Sequence, residues 1–351
     1  VDGIRSNSAS SDAITLANDG TCTANITNNL SNKNVLINGA ININQRGAYT
    51  GQGTSGKYGP DRWQLAGNSS GMQHAFVHQD TGMPEFPKCL RMDCTTAATG
   101  TVTEVKITQK LESQDLGRFL FGNSSAKSLT VSFWCRSNQA STFVVWMHRD
   151  DGSRHTSKTF TINSADTWEK KTLTFSPDQT GTPANDNTRG LQIAWVLASG
   201  SGYTSGTSPN GTWENITDVN RYVGITATIG GNTNDYFDLT GVQLEVGSVA
   251  TDFEHRSYGQ ELALCQRYYQ KYKHGTYKGI NFIGRKSGSD TVVGSMYGFP
   301  PMRAAATGSI NDAGAYRLYR TTDATTHTPV SYTHLRAHET LRYLVCRLLL
   351  E

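Results

Sequence analysis

The chain has 351 residues and a formal net charge of +3 at pH 7, with 32 Lys and Arg against 29 Asp and Glu. That balance, without clustered basic residues, excludes the electrostatic surface of a typical nucleic-acid-binding protein. Charged residues make up 17% of the chain and glycines number 35, which together with many β-branched and hydroxylated residues favours an all-β domain rich in turns.

The six cysteines do not have the spacing of a disulfide-bonded or metal-binding protein. Five of them precede residue 331, and an odd number without paired spacing fits thiols made in a reducing cytoplasm: Cys22, Cys89, Cys94, Cys135 and Cys265. We therefore predict no metal and no cofactor. No apolar run approaches the roughly 20 residues of a membrane-spanning helix, so no membrane partner is expected.

Residues 1–33 are rich in Ser, Asn, Thr and Ala and hold too few apolar side chains to form a core. We interpret this stretch as a linker, or as a segment that folds only against copies of itself. From Asn34 onward apolar and polar positions alternate in short runs separated by Gly, Asn, Pro and Asp. This change predicts a β domain over residues 34–255.

The strands of that domain are predicted from alternation with a period of two. Two segments show it most clearly, each with four apolar residues on one face: Leu129, Val131, Phe133 and Cys135, then Leu191, Ile193, Trp195 and Leu197. Roughly nine or ten such strands between residues 35 and 246, without a long helix between them, favour a jelly-roll-like β-sandwich over a βαβ fold.

A closing strand that ends at Gly247 is predicted to precede a short helix within residues 256–274. Ser257 offers the N-cap oxygen, and Gln260 completes a capping box. Either the helix packs on its own sandwich or three copies of the chain meet there, since tyrosine suits a surface that is partly wet and partly dry. One helix face is the candidate oligomer interface: Leu262, Cys265, Tyr269 and Tyr272.

Residues 275–330 alternate weakly and predict the start of a second β domain, which is truncated. The tail SYTHLRAHETLRYLVCRLLLE, residues 331–351, lacks Gly and Asn. Its reverse translation resembles the end of a transposon-based sequencing adapter, so we treat it as an artefact and exclude it from the fold. It carries three Arg and two Glu, so the formal charge without it is +2.

Several stretches resemble bacteriophage tail-fibre and related virion structural proteins, in which a carbohydrate-binding-module-like jelly roll precedes a short helix and a C-terminal β domain. The most specific is GVQLEVGSVATDFEHRSYGQELALCQRYYQKY, and IRSNSASSDAITLANDGTCTANITNN, NVLINGAININQRG and FPPMRAA are similar. The resemblance implies a homotrimeric fibre or appendage subunit, made in the host cytoplasm and assembled with other tail proteins into the virion. Residues 1–33 would then be a linker or fibre-shaft segment, and a host-surface glycan would be the ligand.

The sequence has no motif of a nucleotide-binding, serine-hydrolase or zinc-peptidase site. Glycoside hydrolysis needs two carboxylates beside one bond, and the acidic clusters are Asp150 with Asp151, Asp166 with Glu169, and Asp235 with Asp238. The first pair lies in a turn signal, which favours a solvated hairpin tip. We predict that the protein is not an enzyme. The alternatives are a glycan-degrading tail enzyme and a purely architectural virion decoration protein.

Sugar rings pack their C–H faces on aromatic planes and bind polar groups at their rims. Two long Gly-, Ser- and Thr-rich loops carry exposed-looking aromatic residues, although each ring could instead fasten its own loop to the body. Trp63, Trp146 and Trp168 are predicted to be structural. The candidate carbohydrate-binding residues are Tyr49, Tyr58, Tyr203 and Trp213, with Asp150 and Asp151.

Overall fold

The computed structural model describes residues 32–53, 56–271 and 301–304, together with the backbone of short strands before and after them. In this part of the chain two antiparallel sheets pack face to face as a jelly-roll-like β-sandwich. The helical elements among these residues are one α-helix and three 3-10 helices, at Ser113–Phe119, Ser201–Tyr203 and Asp218–Asn220. The predicted all-β class with one short helix is therefore confirmed.

Thirteen strands within residues 32–271 form the sandwich. They are β1 Tyr49–Gln52, β2 Lys57–Tyr58, β3 Gln64–Ser69, β4 Gln73–Asp80, β5 Lys88–Thr96, β6 Val102–Glu112, β7 Leu129–Ser137, β8 Thr142–Arg149, β9 Arg154–Thr161, β10 Glu169–Phe175, β11 Arg189–Ser199, β12 Glu214–Asn215 and β13 Tyr236–Val246. The predicted number was lower because β2 and β12, with two residues each, are too short to show a period of two.

The six-stranded sheet has the order β10-β7-β13-β5-β4-β1, and the seven-stranded sheet has the order β12-β9-β8-β11-β6-β3-β2. Beyond the sandwich the chain forms further short strands. These are Gly3–Ile4, Ile14–Leu16, Cys22–Ala24, Phe282–Lys286, Thr291–Met296, Leu318–Tyr319, Thr326–His327, Ser331–Ala337 and Leu344–Leu349. The chain divides into two compact units, Val1–Glu261 and Leu262–Glu351.

The core lies between the two sheets and is formed by the apolar faces that the alternation predicted. The four apolar residues predicted for the inner face of β7 and the four predicted for β11 are all fully buried there. Trp195 packs edge-on against Trp63, with ring centroids 5.7 Å apart, and against Phe133 at 5.4 Å. Burying one such large side chain stabilises the fold by roughly 1.5–3 kcal/mol, so the core is the main source of stability.

The segments that enter and leave the sandwich lie side by side. The carboxylate of Glu254 accepts hydrogen bonds from the backbone N–H groups of Asn32 and Asn34. The guanidinium of Arg256 donates to the carbonyl oxygens of Asn34 and Leu36. We call this set of charged contacts the terminal clasp, and it joins parts of the chain more than 200 residues apart.

The helix, α1, spans Tyr258–Gln266 and begins with the predicted capping box. The N–H of Gln260 donates to Ser257 Oγ at 3.3 Å, and the N–H of Ser257 donates to Gln260 Oε1 at 3.2 Å. The helix is shorter than residues 256–274, because the carbonyl of Cys265 accepts from the N–H groups of both Tyr268 and Tyr269 and the next residues leave the helical path.

Four cysteines of the described part, Cys89, Cys94, Cys135 and Cys265, are free and buried. Burial raises the pKa of Cys89 to about 12 and that of Cys94 to about 11, so these two thiols are protonated and unreactive at neutral pH. Among residues 32–271 no group of His, Cys, Asp and Glu side chains has the arrangement of a metal site. None of the helices in that range is long and apolar enough to span a membrane.

Candidate functional site

The outer face of the seven-stranded sheet carries a dense set of polar and aromatic side chains. Strand pairing places residues opposite one another in rows that cross the sheet. The first row runs from β9 through β8 and β11 to β6, and it consists of His155, His148, Gln192 and Lys110. The second row continues to β3 and consists of Ser157, Trp146, Ala194, Thr108 and Gln64. We call this region the outer row surface.

Aromatic rings form the centre of the outer row surface. The ring of His148 stacks on that of Trp146, with centroids 5.3 Å apart and an angle of 15° between the planes. Tyr222, from the segment between β12 and β13, packs edge-on against Trp146 at 5.7 Å, and Tyr203 packs on Tyr222 at 5.5 Å. Trp146 is almost fully buried, whereas His148 and Tyr203 are half-buried. The accessible rings are therefore those of His148 and Tyr203.

A chain of hydrogen bonds fixes these rings. The indole N–H of Trp146 donates to His155 Nδ1 at 3.2 Å, and the other ring nitrogen of His155 lies 3.0 Å from Glu214 Oε1. Because Nδ1 accepts a hydrogen bond, Nε2 carries the proton and donates to Glu214. Burial lowers the pKa of His155. This side chain therefore serves as a neutral link between Trp146 and the edge of the sheet.

Lys106, Glu104 and Tyr222 form a second connected group. The ammonium of Lys106 donates to both carboxylate oxygens of Glu104 at 2.7 Å and lies 5.2 Å from the centre of the Trp146 ring. The hydroxyl of Tyr222 donates to the same carboxylate at 2.7 Å. Burial raises the pKa of Tyr222 well above its usual range and lowers that of Lys106. These groups satisfy one another and hold the loop to the sheet.

His148 and Asp150 lie at the C-terminal end of β8, where the outer row surface ends along the strand direction. Burial lowers the pKa of His148 to about 4, so its imidazole is neutral at pH 7. Its Nδ1 lies 3.4 Å from Asp150 Oδ1, and Asp150 also accepts hydrogen bonds from Arg189 through both carboxylate oxygens. A neutral imidazole offers one donor and one acceptor, which matches the hydroxyl groups of a polar, uncharged ligand.

Three polar atoms of this region are buried without a hydrogen-bond partner, namely Ser157 Oγ, Gln64 Oε1 and Arg221 Nε. Buried polar groups are normally satisfied, so each such atom calls for a physical explanation. Gln64 and Ser157 lie at opposite ends of the second row. Arg221 lies over the Trp146 ring, with its guanidinium carbon 5.5 Å from the ring centre. All three atoms are almost inaccessible to solvent, so they lie beneath the accessible side chains of this region.

The structure places two of the predicted carbohydrate-binding residues beside the outer row surface: Tyr203 packs on Tyr222, and Asp150 lies next to His148. Asp151 lies elsewhere: its carboxylate accepts from Ser113 Oγ at 2.8 Å and from the N–H of Ala184 at 3.1 Å, which fixes a loop. The half-buried Tyr58 lies on β2, at the edge of the same sheet, beneath the guanidinium of Arg46 at 5.1 Å.

Trp213 lies in the core. Its side chain is 6% exposed, it packs edge-on against Phe121 with centroids 5.5 Å apart, and its N–H donates to the carbonyl of Ser176 at 2.9 Å. The ring thus fastens its own loop to the body. Tyr49 lies on β1, at the edge of the six-stranded sheet; its side chain is outside the described residues.

Of the candidate interface residues, Leu262 and Cys265 lie within α1, and Cys265 is fully buried. Tyr269 lies three residues beyond the last helical residue, so it does not continue the helical face. Tyr272 is outside the described residues. The helix exposes Tyr258 and Leu264 as its large apolar side chains.

Sequence reasoning missed Lys110, His148 and Gln192 of the outer row surface, and Lys106 and Tyr222 beside it. Trp146 was predicted to be structural, and it does underlie His148. The sequence feature that could have indicated them is the alternation along β8, where Trp146 and His148 lie on the outer face and the core residues Val145 and Met147 lie on the inner face. Alternation shows that these side chains share a face, but only strand order shows what lies beside them.

The remaining acidic clusters are engaged in the structure of the sandwich. Asp238 is fully buried between Arg91 and Arg136, which donate to it at 2.6 to 2.9 Å. Asp235 accepts from the N–H groups of Gly230 and Asn232. The other cluster divides between two roles: Asp166 accepts from the hydroxyl of Tyr236, and Glu169 binds Lys171 and the backbone of a turn.

No family model and no curated protein matches the chain. Similar solved structures include the enzymatically active domain of tailspike protein 4 of bacteriophage CBA120, at 11% identity and a TM-score of 0.33, over 61% of this chain and 21% of that one. A family 11 carbohydrate-binding module of a Clostridium thermocellum cellulase is similar at 13% identity and a TM-score of 0.29, over 60% of this chain and 99% of the module. A family 61 module in complex with β-1,4-galactotriose is similar at 10% identity and a TM-score of 0.29, over 61% of this chain and 98% of the module.

Proposed function

We propose that the protein is a non-enzymatic glycan-binding subunit that binds its ligand on the outer row surface. The observation that carries the proposal is the first row, in which the half-buried His148 and Lys110 flank the amide of Gln192, together with the half-buried ring of Tyr203, which packs on Tyr222. A neutral imidazole, an amide and a planar ring together offer donors, acceptors and an apolar plane. These are the groups that a sugar with its hydroxyl rim and C–H face requires.

The absence of catalysis is part of the proposal and is supported by how the carboxylates are used. Retaining and inverting glycosidases place two free carboxyl groups about 5 to 9 Å apart across the scissile bond. Asp150 is occupied by Arg189, Glu104 by Lys106 and Tyr222, and Asp238 by two arginines. A carboxylate held this way neither donates a proton nor attacks a sugar readily.

The biological setting that we propose is a phage tail fibre or appendage, assembled as a homotrimer with other tail proteins on the virion. The basis is the sequence resemblance around residues 241–272. In such a setting a weak contact per subunit suffices, because three linked sites can raise avidity by about 10²–10⁴ without any new contact. A purely architectural decoration protein would share the setting but bind no glycan.

The proposal predicts that His148→Ala and Gln192→Ala each weaken glycan binding by about tenfold, because each removes a hydrogen-bonding group worth roughly 1.4 kcal/mol. Binding of the whole chain would be screened on a broad glycan array and quantified by calorimetry. His255→Ala is the matched control, since His255 is exposed and makes its contact with Glu85 away from this sheet. Release of reducing ends from the bound glycan would instead favour the degrading enzyme, and a silent array would favour the architectural role.

A further inference from the structure

Lys110 is a cation that the fold leaves without a partner. It lies on β6, directly opposite Gln192 in the first row of the outer row surface, and it is half-buried. Among the described residues its ammonium makes no hydrogen bond and no ion pair. The carboxylate of Asp150 attracts it electrostatically, but Arg189 already donates hydrogen bonds to both oxygens of this carboxylate.

The surroundings of Lys110 are positively charged. Burial lowers the pKa of Lys110, the charges of Arg189, Lys106 and Arg62 lower it further, and Asp150 raises it. Two of the neighbouring cations are balanced, since Lys106 pairs with Glu104 and Arg189 pairs with Asp150. Unlike Lys106 and Arg189, Lys110 has no carboxylate of its own among the described residues.

Lys110 is half-buried as a residue, and its ammonium is not among the buried polar atoms without a partner, so the charged group remains accessible to a ligand. An anion that binds there makes a charge-assisted hydrogen bond, the stronger kind. The amide of Gln192 is fixed beside it, since Gln192 donates to Thr108 Oγ1 at 3.0 Å and accepts from Arg189 at 3.2 Å. The subsite is thus rigid on one side and charged on the other.

We propose that Lys110 binds the acidic group of a negatively charged sugar, a carboxylate or a sulfate, so that the ligand of the outer row surface is an acidic glycan. This inference rests on the proposed function and narrows it to one class of carbohydrate. The neutral His148 and the half-buried Tyr203 would then contact the uncharged part of the same ligand.

The test uses the whole chain and a glycan array on which acidic and neutral members are represented equally. For the acidic glycans that bind, the carboxyl-reduced form and the desulfated form are measured beside the native one by calorimetry. We expect the neutralised forms to bind at least about tenfold more weakly, since a hydrogen bond to a charged group is worth roughly 1.5–3 kcal/mol. The neutralisation that causes this loss identifies the anion: carboxyl reduction indicates a carboxylate, and desulfation indicates a sulfate.

Lys110→Met should weaken binding of the acidic glycan to the level of its neutralised form, and Lys110→Arg should retain binding because the charge remains. Lys170→Met is the matched control, as Lys170 is exposed on β10 of the other sheet. Binding of neutral glycans alone, or acidic binding that Lys110→Met leaves unchanged, would overturn the inference while leaving the proposed function intact. No binding to any member of the array would overturn both.

Discussion

At the scale of single residues, the strongest constraint is a buried ion pair at the end of β8. Arg149 and Asp178 are both almost fully buried, and Arg154 donates to the same carboxylate at 2.8 Å. Arg149 also donates to the carbonyls of Thr180 and Gly181, at 2.8 and 3.2 Å. One carboxylate therefore compensates two guanidinium groups and fixes the loop after β10.

Asp178→Asn should destabilise the protein by about 3–5 kcal/mol, because it leaves two guanidinium groups with no anion in a dry environment. Urea unfolding of the whole chain, followed by tryptophan fluorescence, measures this change. Asp252→Asn serves as the control, since that side chain is exposed and surface changes usually stay within about 0.5 kcal/mol. Equal midpoints for the two variants would show that the buried pair contributes nothing to stability.

At the scale of the element, the sequence predicted the features that depend on local patterns but not those that depend on long-range contacts. The period of two identified β7 and β11 with the correct buried faces, and the capping box of Ser257 and Gln260 located the start of α1. Both signals are local, because they depend on residues a few positions apart. The end of α1 was not foreseen, since it follows from the hydrogen bonds that the Cys265 carbonyl accepts.

The outer row surface could not be predicted, because it depends on residues that are far apart in the sequence. Lys110, Gln192 and His148 are brought together by the order of β6, β11 and β8 in the sheet, and no local pattern encodes that order. Trp213 shows the same limit: its ring is buried because Phe121 packs against it from 92 residues upstream. Aromatic residues in a glycine-rich loop look alike in sequence whether they face solvent or the core.

The terminal clasp is an element whose contribution can be measured separately from the core. Glu254→Gln keeps the size of the side chain but replaces charge-assisted hydrogen bonds to Asn32 and Asn34 with weaker neutral ones, so we expect a loss of about 1–2 kcal/mol. Hydrogen exchange should then accelerate in residues 32–39, while the amides of β7 and β11 remain protected. Glu85→Gln, an exposed glutamate, should change neither. Unchanged exchange in residues 32–39 would contradict a role for the clasp.

At the scale of the whole molecule, the proposed homotrimer requires a surface through which the subunits associate. The helix α1 exposes Tyr258 and Leu264, which are 65% and 38% accessible, and exposed large apolar side chains are available for association with another chain. A homotrimer would set three outer row surfaces on one particle. If each surface binds a glycan weakly, three linked surfaces would multiply the affinity for a multivalent glycan.

Light scattering on the whole chain should give a mass three times that of one 38.3 kDa chain. Leu262→Asp should shift the protein to monomers, because burying a carboxylate at an apolar contact costs several kcal/mol, whereas Ala263→Asp, at an exposed neighbouring position, should leave the mass unchanged. The monomeric variant should bind a soluble monovalent glycan as well as the unaltered protein does. Its binding to a glycan-coated surface should fall by about 10²-fold or more, because only multivalent binding depends on the trimer. A monomeric mass for the unaltered chain, or full surface binding by Leu262→Asp, would remove the trimer from the proposal.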